Sequence, residues 1–274
     1  MASRTSDFVL RPFEGLPGEP DWVALKEVVP AATATVRTTK EHGGRDVLVT
    51  TILPNEWAAL HRADGVVLVA LQTPGSSNDT SRDVAAALLE ALEVEPGTAV
   101  ETVGLPEPGP RLQDVLDTTV PFEVTVLDSF AYWLAPDVER TPDLEAAIED
   151  ADAGIVETVK LPGVESAYWC RMGGREFLRW AQPHEEQTVL DALARLHARR
   201  ASGFDGAKLI GYFRSSGLTI PVWELARGTE AKEVEPALAA FAPTFAEALA
   251  ATDPLGPDER RARAGLVARQ VTLR

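Results

Sequence analysis

Apolar and polar positions along this chain follow two rhythms, a period of two over short runs and a period near 3.6 over longer ones. "DVLVTTILP" (46–54) and "GVVLVALQT" (65–73) predict two strands, and Val84, Leu88 and Leu92 at four-residue steps predict a helix within 81–94. Thr80 or Ser81 can cap that helix, and "EPG" at 95–97 stops it. The "NEWAALHRAD" between the strands reads as a short helical turn capped by Asn55. A second unit is "FEVTVLDSFAYWL" (122–134), read as a hairpin turning near Asp128-Ser129, with a helix within 142–152.

The third unit is "AYWCRMGGREFLRWA" (167–181), whose Gly173-Gly174 suits a two-residue turn with positive φ at both positions. That turn pairs Met172 with Arg175, Arg171 with Glu176, Cys170 with Phe177, Trp169 with Leu178 and Tyr168 with Arg179. Alternation then puts Tyr168, Cys170, Phe177 and Arg179 on one face and Trp169, Leu178 and Trp180 on the other. Both faces are largely apolar, so one meets the core and the other a second layer, the acidic half of the chain or a ligand. Its helix, 184–199, carries Val189, Leu193 and Leu196 on one side. The fourth unit is "KLIGYFRSSGLTIPVWEL" (208–225), followed by a helix across 230–251. There Val234, Leu238, Phe241, Phe245 and Leu249 form one stripe, with a kink expected at Pro243.

Four units of hairpin plus helix predict an α+β fold of two associated lobes, antiparallel hairpins covered by helices. "APDVERTP" (135–142) marks the expected boundary, giving lobes 1–138 and 139–274; the Pro-rich "GLPEPGPRLQD" (104–114) reads as a loop.

The opening "RPFEGLPGEPDW" (11–22) holds three prolines and two glycines in twelve positions. It reads as a rigid strap leading to a helix, "WVALKEVV", that Asp21 caps and Pro30 ends. Glu14 and Glu19 form a candidate carboxylate pair for acid–base work, against the plainer reading of solvent-facing acids.

Charge sharpens the division. The net charge is −16, and residues 1–150 hold 10 Lys/Arg against 26 Asp/Glu, whereas 151–274 hold 16 of each. An acidic half repels phosphate backbones, which argues against nucleic acid lying there. The C-terminal "DERRARAGLVARQVTLR" (258–274) has five arginines and two acids but no aromatic residue to stack a base. It is expected to dock on its own chain, neutralising part of the acidic half. The opening residues lack the apolar run of a signal peptide, and no run approaches the roughly 20 residues that cross a bilayer. With one cysteine, Cys170, there is no disulfide framework. A cytoplasmic protein is expected.

Candidate chemistry is sparse. "HEEQT" (184–188) has Thr188 where a zinc-protease helix needs its second histidine, so His184 is left as a helix-start residue beside two glutamates. "GFDGAK" (203–208) has the wrong spacing for a phosphate loop, and no G-x-S-x-G elbow occurs. Cys170 would need a nearby cation or histidine to act as a thiolate; a buried, inert cysteine is the plainer reading. Tyr168 and Arg179 beside it suit an anionic or aromatic ligand.

The strap with "VPAATATV" (29–36), "VKLPGVESAYWC" (159–170), "LRWAQPHEEQTVLDALARLHA" (178–198) and "DERRARAGLVARQVTL" (258–273) resembles an uncharacterised family of actinobacterial proteins over nearly the whole chain. Longer members of that family carry an N-terminal Cys-rich zinc motif like the one at the C-terminus of the SecA translocation motor (SEC-C). With Cys170 alone, no zinc or other cofactor is expected here. The resemblance implies no particular activity.

The leading expectation is a non-catalytic binding or adaptor module that takes a protein partner or small ligand. The rival is an enzyme with a small-molecule site between the lobes, using Glu14 or Glu19, His184 and Arg179. A third reading, association with the ribosome or a nucleic acid, would use the basic arm.

Overall fold

A computed structural model describes residues 8–73, 77–101 and 109–268. The chain is α+β and divides into two compact units, residues 1–155 and 156–274.

The first unit runs α1 (Glu19–Glu27), β1 (Ala32–Arg37), β2 (Asp46–Thr50), β3 (Ala59–His61), β4 (Val67–Ala70), α2 (Thr80–Glu93), β5 (Thr98–Val100), α3 (Leu112–Val115), β6 (Val124–Val126) and α4 (Pro142–Asp152). Its sheet has the order β5-β3-β4-β2-β1-β6. Only the central pair, β2 with β4, is parallel among these strands. That pairing follows from β3, which lies outside β4 and returns the chain between itself and β2. The helical turn expected over "NEWAALHRAD" is therefore a strand in its second half. Ala59, Leu60 and His61 are buried, pairing with β4 on one side and β5 on the other. Two ladders outweigh the local helix preference of such residues. Asn55, expected as a cap, instead sits at φ 53 in a 3-10 turn.

Three other expectations change. The helix after the strap begins at Glu19, with Gly18 at φ 66 as its cap position and Asp21 inside its first turn. Asp79, not Thr80 or Ser81, caps α2, its Oδ1 accepting the Ser81 N–H at 3.1 Å. The segment 122–134 is no hairpin: β6 pairs with β1, and the chain then turns into a 3-10 helix at Ala131–Trp133. The core behind the sheet is closed by α2, which buries Val84, Leu88 and Ala91 against β3, β4 and β5.

The strap is a clasp. Phe13 and Leu16 are buried, and Trp22 stacks between Phe13 and Phe122, with centroids at 5.6 and 4.1 Å. Arg111 and Gln113 both donate to the Pro12 carbonyl, at 2.9 and 2.8 Å, and Arg111 pairs with the fully buried Asp79 at 2.8 Å. Part of the loop expected at 104–114, residues 104–108, lies outside the described residues.

The second unit runs β7 (Thr158–Lys160), β8 (Ala167–Met172), β9 (Arg175–Trp180), α5 (Glu186–Ala198), β10 (Lys208–Ser215), β11 (Leu218–Glu224), α6 (Ala231–Ala250) and α7 (Pro257–Val267). Its sheet is antiparallel throughout, in the order β10-β11-β9-β8-β7. The β8–β9 register is the one the Gly-Gly turn requires, residue for residue. Gly173 and Gly174 take φ of 57 and 72, as a two-residue hairpin demands. Trp169, Leu178, Trp180 and Trp223 form one core with Val189, Leu193 and Leu196 of α5 and Val234, Leu238, Phe241 and Phe245 of α6. The opposite face of the sheet, with Tyr168, Cys170, Phe213, Ile220 and Val222, is buried as well.

The described part of the C-terminal arm is α7, docked on α5 of its own unit. Leu266 is buried, Arg263 pairs with Asp191 at 2.7 Å, and Arg195 donates to the Asp253 carbonyl. The rest of the arm, 269–274, lies outside the described residues.

Candidate functional site

Between the end of β2 and α4, the first unit holds an open apolar cleft of about 410 Å³. Its floor is Ile52, Leu53 and Pro54, one wall is Phe130 and Trp133, and the other is Leu144, Ala147, Ile148 and Ala151 of α4. Each wall has a local cause. α4 starts where Thr141 caps it, Oγ1 accepting the Leu144 N–H at 3.3 Å, with Pro142 in its first turn. Its apolar residues recur at three- and four-residue steps and so share one side.

Hydrogen bonds fix the other two sides. The Tyr132 hydroxyl donates to the Ile52 carbonyl and accepts the Ile52 N–H. Arg62 donates to the carbonyls of Tyr132 and Leu134 at 2.9 and 3.1 Å, holding the 3-10 turn from behind. The same guanidinium bonds Asp64 at 2.8 Å and holds that carboxyl below its usual range. The Phe130 N–H donates to Asp152 Oδ1 at 2.8 Å, tying the last turn of α4 to the aromatic wall. Burial pushes the Tyr132 phenol up, which keeps it protonated and donating. The cleft is thus preformed, with no acid, base or nucleophile among its lining residues.

The residues singled out from sequence fall elsewhere. Glu14 and Glu19 do come together, but on a guanidinium: Arg11 grips Glu19 at 3.0 and 2.6 Å and lies 3.4 Å from the exposed Glu14. That fork anchors the strap to α1. His184 is exposed just ahead of α5. It belongs to the second unit, as does Arg179, whereas both glutamates belong to the first. Tyr168, Cys170 and Arg179 share a face of β8–β9 with neighbouring Phe177, and all but Phe177 are buried. Burial pushes the Cys170 thiol up, against a smaller opposing effect of Arg179, so it stays a neutral thiol. Arg179 donates to Met172 Sδ at 2.7 Å. Among the described residues no cluster of His, Cys, Asp and Glu is placed to hold a metal ion, and no helix is long and apolar enough to cross a membrane.

Fold and cleft define an α+β protein with an open apolar groove in its first unit. The chain belongs to the family of unknown function DUF5926, whose model matches residues 12–274. No curated protein and no solved structure matches it.

Proposed function

We propose that this chain is a non-catalytic binding module of the cytoplasm, and that the cleft of its first unit receives an apolar group of its ligand. The observation that supports this is a preformed cavity of about 410 Å³ lined by nine apolar residues. Its volume falls in the range of about 300–1,000 Å³ usual for small-ligand pockets. Catalysis needs a group that moves a proton, attacks or stabilises charge, and these walls offer none. The one cysteine, buried and neutral, asks for no oxidising compartment.

A neutral apolar dye such as Nile red tests the reading on the full chain. Saturable binding is expected, and Ala147→Trp, which fills the cleft from an exposed helix position, should abolish it without lowering the melting temperature. Equal dye binding by the folded variant, or no binding by the parent chain, would overturn the proposal.

A further inference from the structure

We propose that the occupant of the cleft is an amphipathic helix of a partner protein, with Lys or Arg flanking its apolar stripe on both sides; this rests on the binding reading above. The apolar residues of α4 are incompletely used within the unit. Leu144 and Ile148 are half-buried and Ala147 and Ala151 exposed, so none of the four is buried. At 3.6 residues per turn they form one stripe along the cleft. The same geometry sets Glu145, Glu149 and Asp152 along one edge of that stripe and Asp143 and Asp150 along the other. α4 contains no lysine or arginine.

Of these five acids, Asp152 is engaged by the Phe130 N–H. Asp143, Glu145, Glu149 and Asp150 make no ion pair with any described residue. A second, shallower depression continues past Ile148 and is walled by Glu145, Glu149, Asp152 and Arg140. The apolar surface and the acidic edge therefore form one continuous strip. A small neutral ligand would use the cleft and leave the acids idle, and an anionic partner would be repelled. A helix with apolar residues at i, i+3, i+4 and i+7 matches the stripe, and basic residues beside them match both edges.

The test uses the full chain and two synthetic peptides of about 15 residues, near the length at which isolated helices become marginally stable. Both carry Leu at i, i+3, i+4 and i+7; one has Lys on the flanks and the other Glu. The Lys peptide should displace Nile red and bind at least about tenfold more tightly than the Glu peptide, with the gap narrowing as salt rises. Combining Asp143→Asn, Glu145→Gln, Glu149→Gln and Asp150→Asn should weaken the Lys peptide about tenfold while leaving dye binding intact. If the dye binds but neither peptide displaces it, the cleft serves a small ligand and the partner proposal fails alone. Equal binding of both peptides, or no effect of the four substitutions, also overturns it. Absence of dye binding would instead remove the binding reading beneath it.

Discussion

The Tyr132 hydroxyl lies 2.6 Å from the Ile52 carbonyl oxygen and 3.2 Å from the Ile52 nitrogen, so one phenol satisfies both backbone groups of the residue on the cleft floor. Tyr132→Phe would leave both unpaired. A loss of about 1–3 kcal/mol is expected in denaturant unfolding, the cost of unsatisfied buried polar groups. The same bond carries an alkaline signature. Burial raises the phenol's pKa, so the folded chain holds this proton after the unfolded chain has released it. Its contribution is intact below the ordinary phenol value of about 10 and fades as pH climbs through the raised folded value. The Phe variant should lose that part of the alkaline sensitivity. Identical pH profiles would show that the bond does not hold the floor.

Asp79 caps α2 and pairs with Arg111, which also holds the strap through Pro12. Its side chain is fully buried. Asp79→Ala should cost about 3 kcal/mol or more, because a cap is lost and the Arg111 side of the pair is left unmatched. Limited proteolysis should then cut in the strap first. A cost within about 0.5 kcal/mol, the scale of surface changes, would mean that the clasp does not secure this end.

Cys170 is 0% exposed, and burial outweighs Arg179 in setting its thiol. An aromatic disulfide reagent should therefore label the native chain no faster than it unfolds, with full labelling in denaturant. Rapid stoichiometric labelling of the native chain would contradict a neutral, enclosed thiol.

Phe241 and Phe245 stack at 6.0 Å and both meet Trp223. Truncating either to Ala should cost about 3–5 kcal/mol, measured by denaturant unfolding. A loss below about 1 kcal/mol would place α6 away from the core.

The second unit was largely legible in the chain itself. Gly173-Gly174 admits one turn, that turn admits one register, and the stripe from Val234 to Phe245 has one way to bury. The first unit was less so. His61 and its neighbours look helical in isolation and become a strand because β4 and β5 claim both their edges. "SFAYWL" looks like a strand, yet Tyr132 is claimed by a loop 80 residues earlier. The cleft was hidden for the same reason. It gathers residues 52–54, 130–133 and 144–151, and the spacing of Leu144 and Ile148 is that of any core helix. Only the three-dimensional arrangement shows that this side of α4 stays open. Conversely, residues chosen for their chemistry, such as Glu19 and Cys170, lie outside that cleft, Glu19 bonded to Arg11 and Cys170 buried.

The chain has five isoleucines, Ile52, Ile148, Ile155, Ile210 and Ile220, and the first two line the cleft. Selective labelling of their δ1 methyls gives a five-peak spectrum of the full chain, read during titration with the Lys-flanked peptide. Saturable shifts are expected at Ile52 and Ile148, with Ile210 and Ile220 of the second unit unmoved. Shifts at Ile210 or Ile220 while Ile52 and Ile148 stay still would contradict it.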